Sequence, residues 1–196
     1  WLTAFARGLF ALADRHSCPL IGGDTTRGPL SMCVTVFGEL APGTALRRDG
    51  ARAGHDVWLS GRTGEARLAR ALRRGEDWAV AAGIASAQAE VCYRRMDSPE
   101  PRLTLGQALA GVAHAGIDVS DGLASDLGHI LAASGVGVEL RIDALPVAPA
   151  LARLPAPRRL ECMAHGGDDY ELCFTASPAA AQQVADALGS RGIAAQ

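Results

Sequence analysis

Gly116-Ile117-Asp118-Val119-Ser120-Asp121-Gly122-Leu123-Ala124-Ser125-Asp126-Leu127-Gly128-His129-Ile130 changes its apolar period halfway along. Ile117 and Val119 are β-branched and read as the end of a buried strand. Leu123, Leu127, Ile130 and Leu131 recur at i, i+4, i+7 and i+8, the apolar face of a helix. The join therefore falls at Ser120-Asp121-Gly122. Asp118 and Ser120, two apart on the strand, project to one side, and Asp121 reaches the helix N-terminus, where uncommitted N–H groups and the helix dipole favour anions. Such a corner can hold magnesium through its carboxylates and phosphate through its N–H groups. The same residues also fit an ordinary helix cap, with Ser120 or Asp121 as the cap and Asp118 solvated.

The totals narrow the classes. A chain of 196 residues is long enough for one substantial core, or for one domain and part of another. A net charge of -2 and a pI near 6.2 provide no basic field, and the arginines are not interleaved with aromatics, so nucleic acid is not an expected partner. Cys18, Cys33, Cys92, Cys162 and Cys173 are odd in number, lack any C-x-x-C pair and sit mostly in apolar runs, as reduced thiols do in a cytoplasmic protein. No apolar run approaches the roughly 18 residues of a membrane span, and a basic, apolar leader is not seen, so no membrane partner is expected.

Along the chain, Trp1 to Ala13 is an apolar-periodic helix carrying Leu2, Phe5, Leu9, Phe10 and Leu12. A domain seldom begins inside its own core helix, so a fragment is expected. The end at Gly192–Gln196 reads as the approach to a further strand. Pro19-Leu20-Ile21 is a short strand pattern entering Gly22-Gly23-Asp24-Thr25-Thr26-Arg27-Gly28-Pro29, a second candidate for metal or phosphate, or simply a Gly-Gly turn with a polar tip. Leu30 to Leu40 reads as a long strand. Arg47, Arg48 and Arg52 mark a charged connector, and the domain boundary is placed near it. Either Arg47 or Arg48 could fork onto phosphate, or remain solvated.

Asp56 to Gly61 reads as a strand that turns at Gly61-Arg62-Thr63-Gly64, for structural reasons, into a helix over Glu65 to Arg74. Asp77 to Tyr93 reads as helical until Ser98-Pro99-Glu100-Pro101, and Thr104 to Ala115 as a helix delivering the chain to the central strand. Ser134-Gly135 ends the following helix. Val138 to Ile142 alternates as a strand, 145–157 is proline-broken, and Ala179 to Leu188 is a last amphipathic helix. His165-Gly166-Gly167-Asp168-Asp169-Tyr170-Glu171 precedes a strand and repeats the Gly-Gly-Asp wording of residues 22–24. The five histidines have no ligand spacing, so zinc is not expected.

Leu20 to Pro29, Asp118-Val119-Ser120-Asp121-Gly122-Leu123 and Gly166-Gly167-Asp168-Asp169-Tyr170-Glu171-Leu172, in this order, resemble the thiamine-monophosphate kinase family of the aminoimidazole ribonucleotide synthetase superfamily. The resemblance implies a two-domain α/β architecture with mixed sheets and packed helices. Residues 1–48 would be the remainder of an N-terminal ATP-binding and dimerisation domain, and 49–196 an incomplete C-terminal domain. It implies ATP-dependent phosphorylation of thiamine monophosphate to thiamine diphosphate, with Mg2+ and a homodimeric full-length protein. By resemblance, Asp24, Asp118 and Asp121 bind magnesium; Gly23, Asp24, Arg48 and Ser120 contact ATP; and Asp168 meets the substrate, with less reach than the glutamate of some relatives. No residue is expected to transfer a proton directly, because the acceptor is already an anionic oxygen.

The family's earlier segment, with further acidic ligands, is not among these residues, and the family continues past the position of Gln196. The 196 residues alone are therefore expected to bind nucleotide weakly or not at all and to show no turnover. Competing readings are another ATP-using member of the superfamily, selenophosphate synthetase-like or hydrogenase-maturation-like, and a non-catalytic remnant of the fold.

Overall fold

The structure, a computed structural model, describes residues 1–189. It divides into two compact units, Trp1–Leu40 and Ala41–Gln196. The first contains one helix, α1 (Leu2–Arg15), followed by a segment with no strand ladder. The strands expected at 19–21 and 30–40 do not form among the described residues. Leu30, Met32, Val34 and Val36 do alternate, but all four are exposed. Alternation creates a strand only where a neighbouring backbone accepts its hydrogen bonds, and this segment pairs with none among the described residues.

The second unit is built on a three-stranded sheet in the order β1 (Asp56–Leu59), β3 (Glu171–Ala176), β2 (Ala115–Val119). The class is the expected mixture of helix and sheet. Pairing within this sheet is antiparallel throughout instead of mixed, because β3 lies in the middle and runs against both neighbours. Asp56 faces Ala176, Leu59 faces Cys173 and Val119 faces Glu171.

Period-2 alternation then supplies two apolar faces. On one, Cys173, Ile117 and Val119 pack beneath Leu123, Leu127 and Ile130 of α6 (Leu123–Ser134). On the other, Phe174 and Ala176 pack against Leu105 of α5 (Leu103–Ala108) and Val184 and Leu188 of α8 (Ala181–Gly189). A third core joins α2 (Glu65–Arg74), α3 (Asp77–Ala81), α4 (Ser86–Asp97) and α7 (Ala156–His165) through Leu68, Ala79, Cys92, Cys162 and Met163.

Three expectations are corrected here. The helical run 77–93 is two helices, since Gly83 takes a left-handed φ of 58° between them. The strand over Val138–Ile142 is absent: Val138, Leu140 and Ile142 are exposed, and Ile142–Ala144 forms a 3-10 turn. The proline-rich stretch also hides the start of α7. Pro155 caps it and Pro157 occupies its first turn, where no N–H is needed. The strand approach expected at Gly192–Gln196 lies outside the described residues.

Candidate functional site

The join after β2 is held from two sides. Gly122, between strand and helix, has a φ of 114°, and a Cβ there would meet the His165 carbonyl carbon at 2.9 Å. Only glycine combines that dihedral with that approach. Gly167 is pressed onto the Ser120 carbonyl oxygen more closely still. That oxygen accepts from the Asp168 N–H at 2.9 Å, and the Val119 carbonyl accepts from the Tyr170 N–H at 2.9 Å. The second and third acidic turns are therefore laced together, an extension of the β2–β3 ladder beyond its regular end.

Neither Ser120 nor Asp121 caps α6, whose N-cap is Gly122 without a side-chain bond. The Ser120 and Asp121 N–H groups, expected to be open to phosphate, both donate to Asp126 Oδ2, at 2.9 and 3.0 Å. Asp118 and Asp121 are exposed, and Ser120 is half-buried. With those backbone groups committed internally, this turn offers a ligand its side chains: two carboxylates and a hydroxyl. Among the described residues no three acids, histidines or cysteines form a ready metal cage. Magnesium, however, is ordinarily held by only one or two carboxylates together with water and phosphate oxygens, so the hard oxygens of Asp118 and Asp121 fit it.

Asp168 is half-buried with a φ of 69°, and Tyr170, 45% exposed, has a φ of 51°. Left-handed backbone at a bulky residue costs on the order of 1–2 kcal/mol, so the loop is held against its own preference by the bonds just described. Further fastening comes from acids that sequence reasoning did not single out. Asp169, 5% exposed, accepts the Gly64 N–H at 2.6 Å and the Ala66 N–H at 3.3 Å, tying the loop to the start of α2. Burial pushes its carboxyl up to about 7, against the opposite pull of the two amides.

Glu171 is also buried. It accepts from the Ser60 hydroxyl, from Arg95 at 2.5 Å, and from Arg102 at 2.8 and 2.6 Å. Burial alone would raise its carboxyl, yet Arg102, Ser60 and Arg95 together hold it below the usual range. Arg95 also pairs with buried Glu65 at 3.0 Å. The overlooked signal was register. Asp126 falls on the apolar helical face with Leu123, Leu127 and Ile130, where a carboxylate persists only if its bonds are satisfied.

Arg48 lies in a segment fixed at the opposite end of β2. The Arg47 carbonyl accepts from Gly116 N–H at 2.9 Å, and the Arg48 carbonyl accepts from Ser134 Oγ at 3.0 Å. The Arg48 side chain is exposed, whereas Arg47 is engaged by Asp49. Gly23 and Asp24 belong to the first unit; Asp24 is exposed and its Oδ1 accepts the Thr25 N–H at 2.7 Å. A cavity of about 830 Å³ runs along β1 and the 136–146 segment, but none of Asp118, Ser120, Asp121 or Asp168 lines it. The turns face outward from the unit's surface instead.

A helix-flanked antiparallel sheet with two interlocked acidic turns at one end is the architecture of this unit. Residues 52–196 match the family described as AIR synthase related protein, C-terminal domain, and the chain belongs to that family. Within it, the chain is 40% identical over 204 residues to thiamine-monophosphate kinase of Salmonella typhimurium, covering 98% of this chain and 58% of that one. The crystal structure of thiamine-monophosphate kinase from Stenotrophomonas maltophilia K279a is similar at a TM-score of 0.85 and 47% identity, covering 96% of this chain and 61% of that one. AaThiL complexed with AMPPCP and TMP matches at a TM-score of 0.58 and 28% identity, over 69% of this chain and 43% of that one. The chain thus spans less than two thirds of the length of these relatives.

Proposed function

We propose that this chain forms part of an ATP-dependent kinase that phosphorylates thiamine monophosphate to thiamine diphosphate. The observation that carries the reading is the lacing of the Asp118–Asp121 turn to the Gly166–Tyr170 loop, which turns acidic side chains outward from a rigid backbone. Its relatives support the substrate. Asp118 and Asp121 would hold Mg2+, with Asp24 as a further ligand; Gly23, Asp24, Arg48 and Ser120 would contact ATP; Asp168 would meet thiamine monophosphate. Residues 1–48 and 49–196 would be parts of an N-terminal and a C-terminal domain, in a cytoplasmic homodimer. No helix among the described residues is long and apolar enough to cross a membrane.

Phosphoryl transfer between two phosphates asks little covalent help of a protein. Its barrier lies in bringing like charges together in line. When bound, magnesium supplies charge neutralisation between the phosphates. The residues of this chain hold and orient. The fastened backbone sets where the Asp118 and Asp121 side chains leave the turn, and the left-handed turn at Asp168 presents its side chain from the adjoining loop.

The test is transfer from [γ-32P]ATP to thiamine monophosphate with Mg2+ by a polypeptide of the relatives' full length that carries these residues. Label in thiamine diphosphate supports the reading. Label transferred instead to selenide-derived product, or none at all, overturns it. Identities of 40–47% to thiamine-monophosphate kinases across nearly the whole chain do not favour the other superfamily reactions or a remnant. The 196 residues alone are expected to show no turnover.

A further inference from the structure

Asp126 is 2% exposed, in the first turns of α6, and a single oxygen of its carboxylate accepts both the Ser120 and the Asp121 N–H. The carboxylate reaches backwards past the start of its own helix to do so. On the other side of the same turn, the Ser120 carbonyl is taken by the Asp168 N–H. The peptides flanking Ser120 are thus gripped through their donors from within the unit and through an acceptor from the neighbouring loop. Only the inner grip depends on one side chain.

We infer that Asp126 is a positioning residue for the metal turn: it touches no ligand, and by binding these two amides it fixes the direction of the Asp121 carboxylate and Ser120 hydroxyl and keeps the amides from collecting phosphate themselves. The inference rests on the magnesium role proposed for Asp118 and Asp121. Removing Asp126 leaves two inward N–H groups without an acceptor. Water or a rotated backbone can satisfy them, and in either case the turn loses the bonds that fix the Asp121 peptide. Outer partners of this kind typically alter metal affinity about 10–100-fold when lost.

The test uses the 196-residue chain and Mn2+ as the probe, read by broadening of the 118–121 amide resonances, with hydrogen exchange of the Ser120 and Asp121 amides followed in the same samples. Asp126→Ala should raise the Mn2+ midpoint about 10-fold and abolish protection of those two amides, while α6 and the sheet keep theirs. Asp126→Asn, which retains an accepting oxygen on the same stem but no charge, should stay within about 3-fold of the wild type and keep the protection. If the alanine variant does not fold, Asp126→Ser, whose hydroxyl is too short to reach both amides, takes its place under the same expectation.

An unchanged midpoint in the alanine or serine variant overturns the inference. So does an asparagine variant as weak as alanine, because the charge and not the grip would then matter. If the wild-type 118–121 amides show no selective broadening even at millimolar Mn2+, where two carboxylates suffice for weak binding, the metal reading falls and this role falls with it, while protected Ser120 and Asp121 amides would still show that the Asp126 bonds exist.

Discussion

Asp169 combines burial, two amide donors and a carboxyl pushed up to about 7, whereas an unfolded aspartate titrates near 3.9. Between those values the folded chain keeps a proton that the unfolded chain releases. The contribution of Asp169 to stability is therefore greatest at the acidic end of this window and falls as pH rises towards 7, then levels. Urea midpoints at pH 5 and pH 8 should show a loss on the order of 2–3 kcal/mol that Asp169→Asn flattens. Glu171 works in the opposite sense. Its lowered carboxyl adds stability above the ordinary carboxylate range, and that is lost as pH falls through it. Glu171→Gln, which removes the carboxylate partner of Arg102 and leaves Arg95 with Glu65, should destabilise by about 3–5 kcal/mol at neutral pH.

The thiols divide as sharply. Burial pushes Cys92 and Cys173 up to about 12 and Cys162 up to about 11, while Cys18 and Cys33 are exposed. Iodoacetamide under native conditions should modify Cys18 and Cys33 and reach the other three only on unfolding, which peptide mass mapping reads directly.

At the scale of elements, glycine separates two kinds of position. A Cβ at Gly167 would drive into the Ser120 carbonyl oxygen, so Gly167→Ala should cost about 1–3 kcal/mol and shift the Ser120 and Asp121 amide resonances. Gly128, within α6, has nothing near its would-be Cβ, so Gly128→Ala should stabilise by about 0.5–1 kcal/mol without moving that turn. The same contrast explains what could be read in advance. The elements β1, α2, α6 and β3 follow from apolar period and terminal glycine, which are local properties. Pairing is not local. Val138–Ile142 and Leu30–Leu40 alternate at least as well as β3 does, but of these three segments only β3 is paired among the described residues, and no pattern within a segment reports its neighbours. At the site, Asp118, Ser120, Asp121 and Asp168 stood out because turns advertise polar tips. Asp126 and Asp169 did not, since their meaning depends on amides in contact with them and, for Asp169, on a helix start more than 100 residues away.

For the molecule as a whole, stability should reside almost entirely in the second unit. Each of the three apolar cores is drawn from residues between Ala51 and Leu188, whereas α1 contains no buried residue. Burial of apolar surface is the dominant favourable contribution to folding, and a helix of 14 residues without such burial is marginal by itself. A polypeptide starting at Ala41 should then unfold cooperatively, with a midpoint within about 3 °C of that of the 196-residue chain, a shift worth less than roughly 1 kcal/mol. Its far-UV circular dichroism should lose only the contribution of α1. The shorter chain also lacks the exposed alternating Leu30, Met32, Val34 and Val36, an unpaired template of the kind that recruits other strands. Sedimentation velocity across a concentration series should therefore find it less self-associating than the 196-residue chain. A drop of 10 °C or more on deletion would show that residues 1–40 contribute to the core after all.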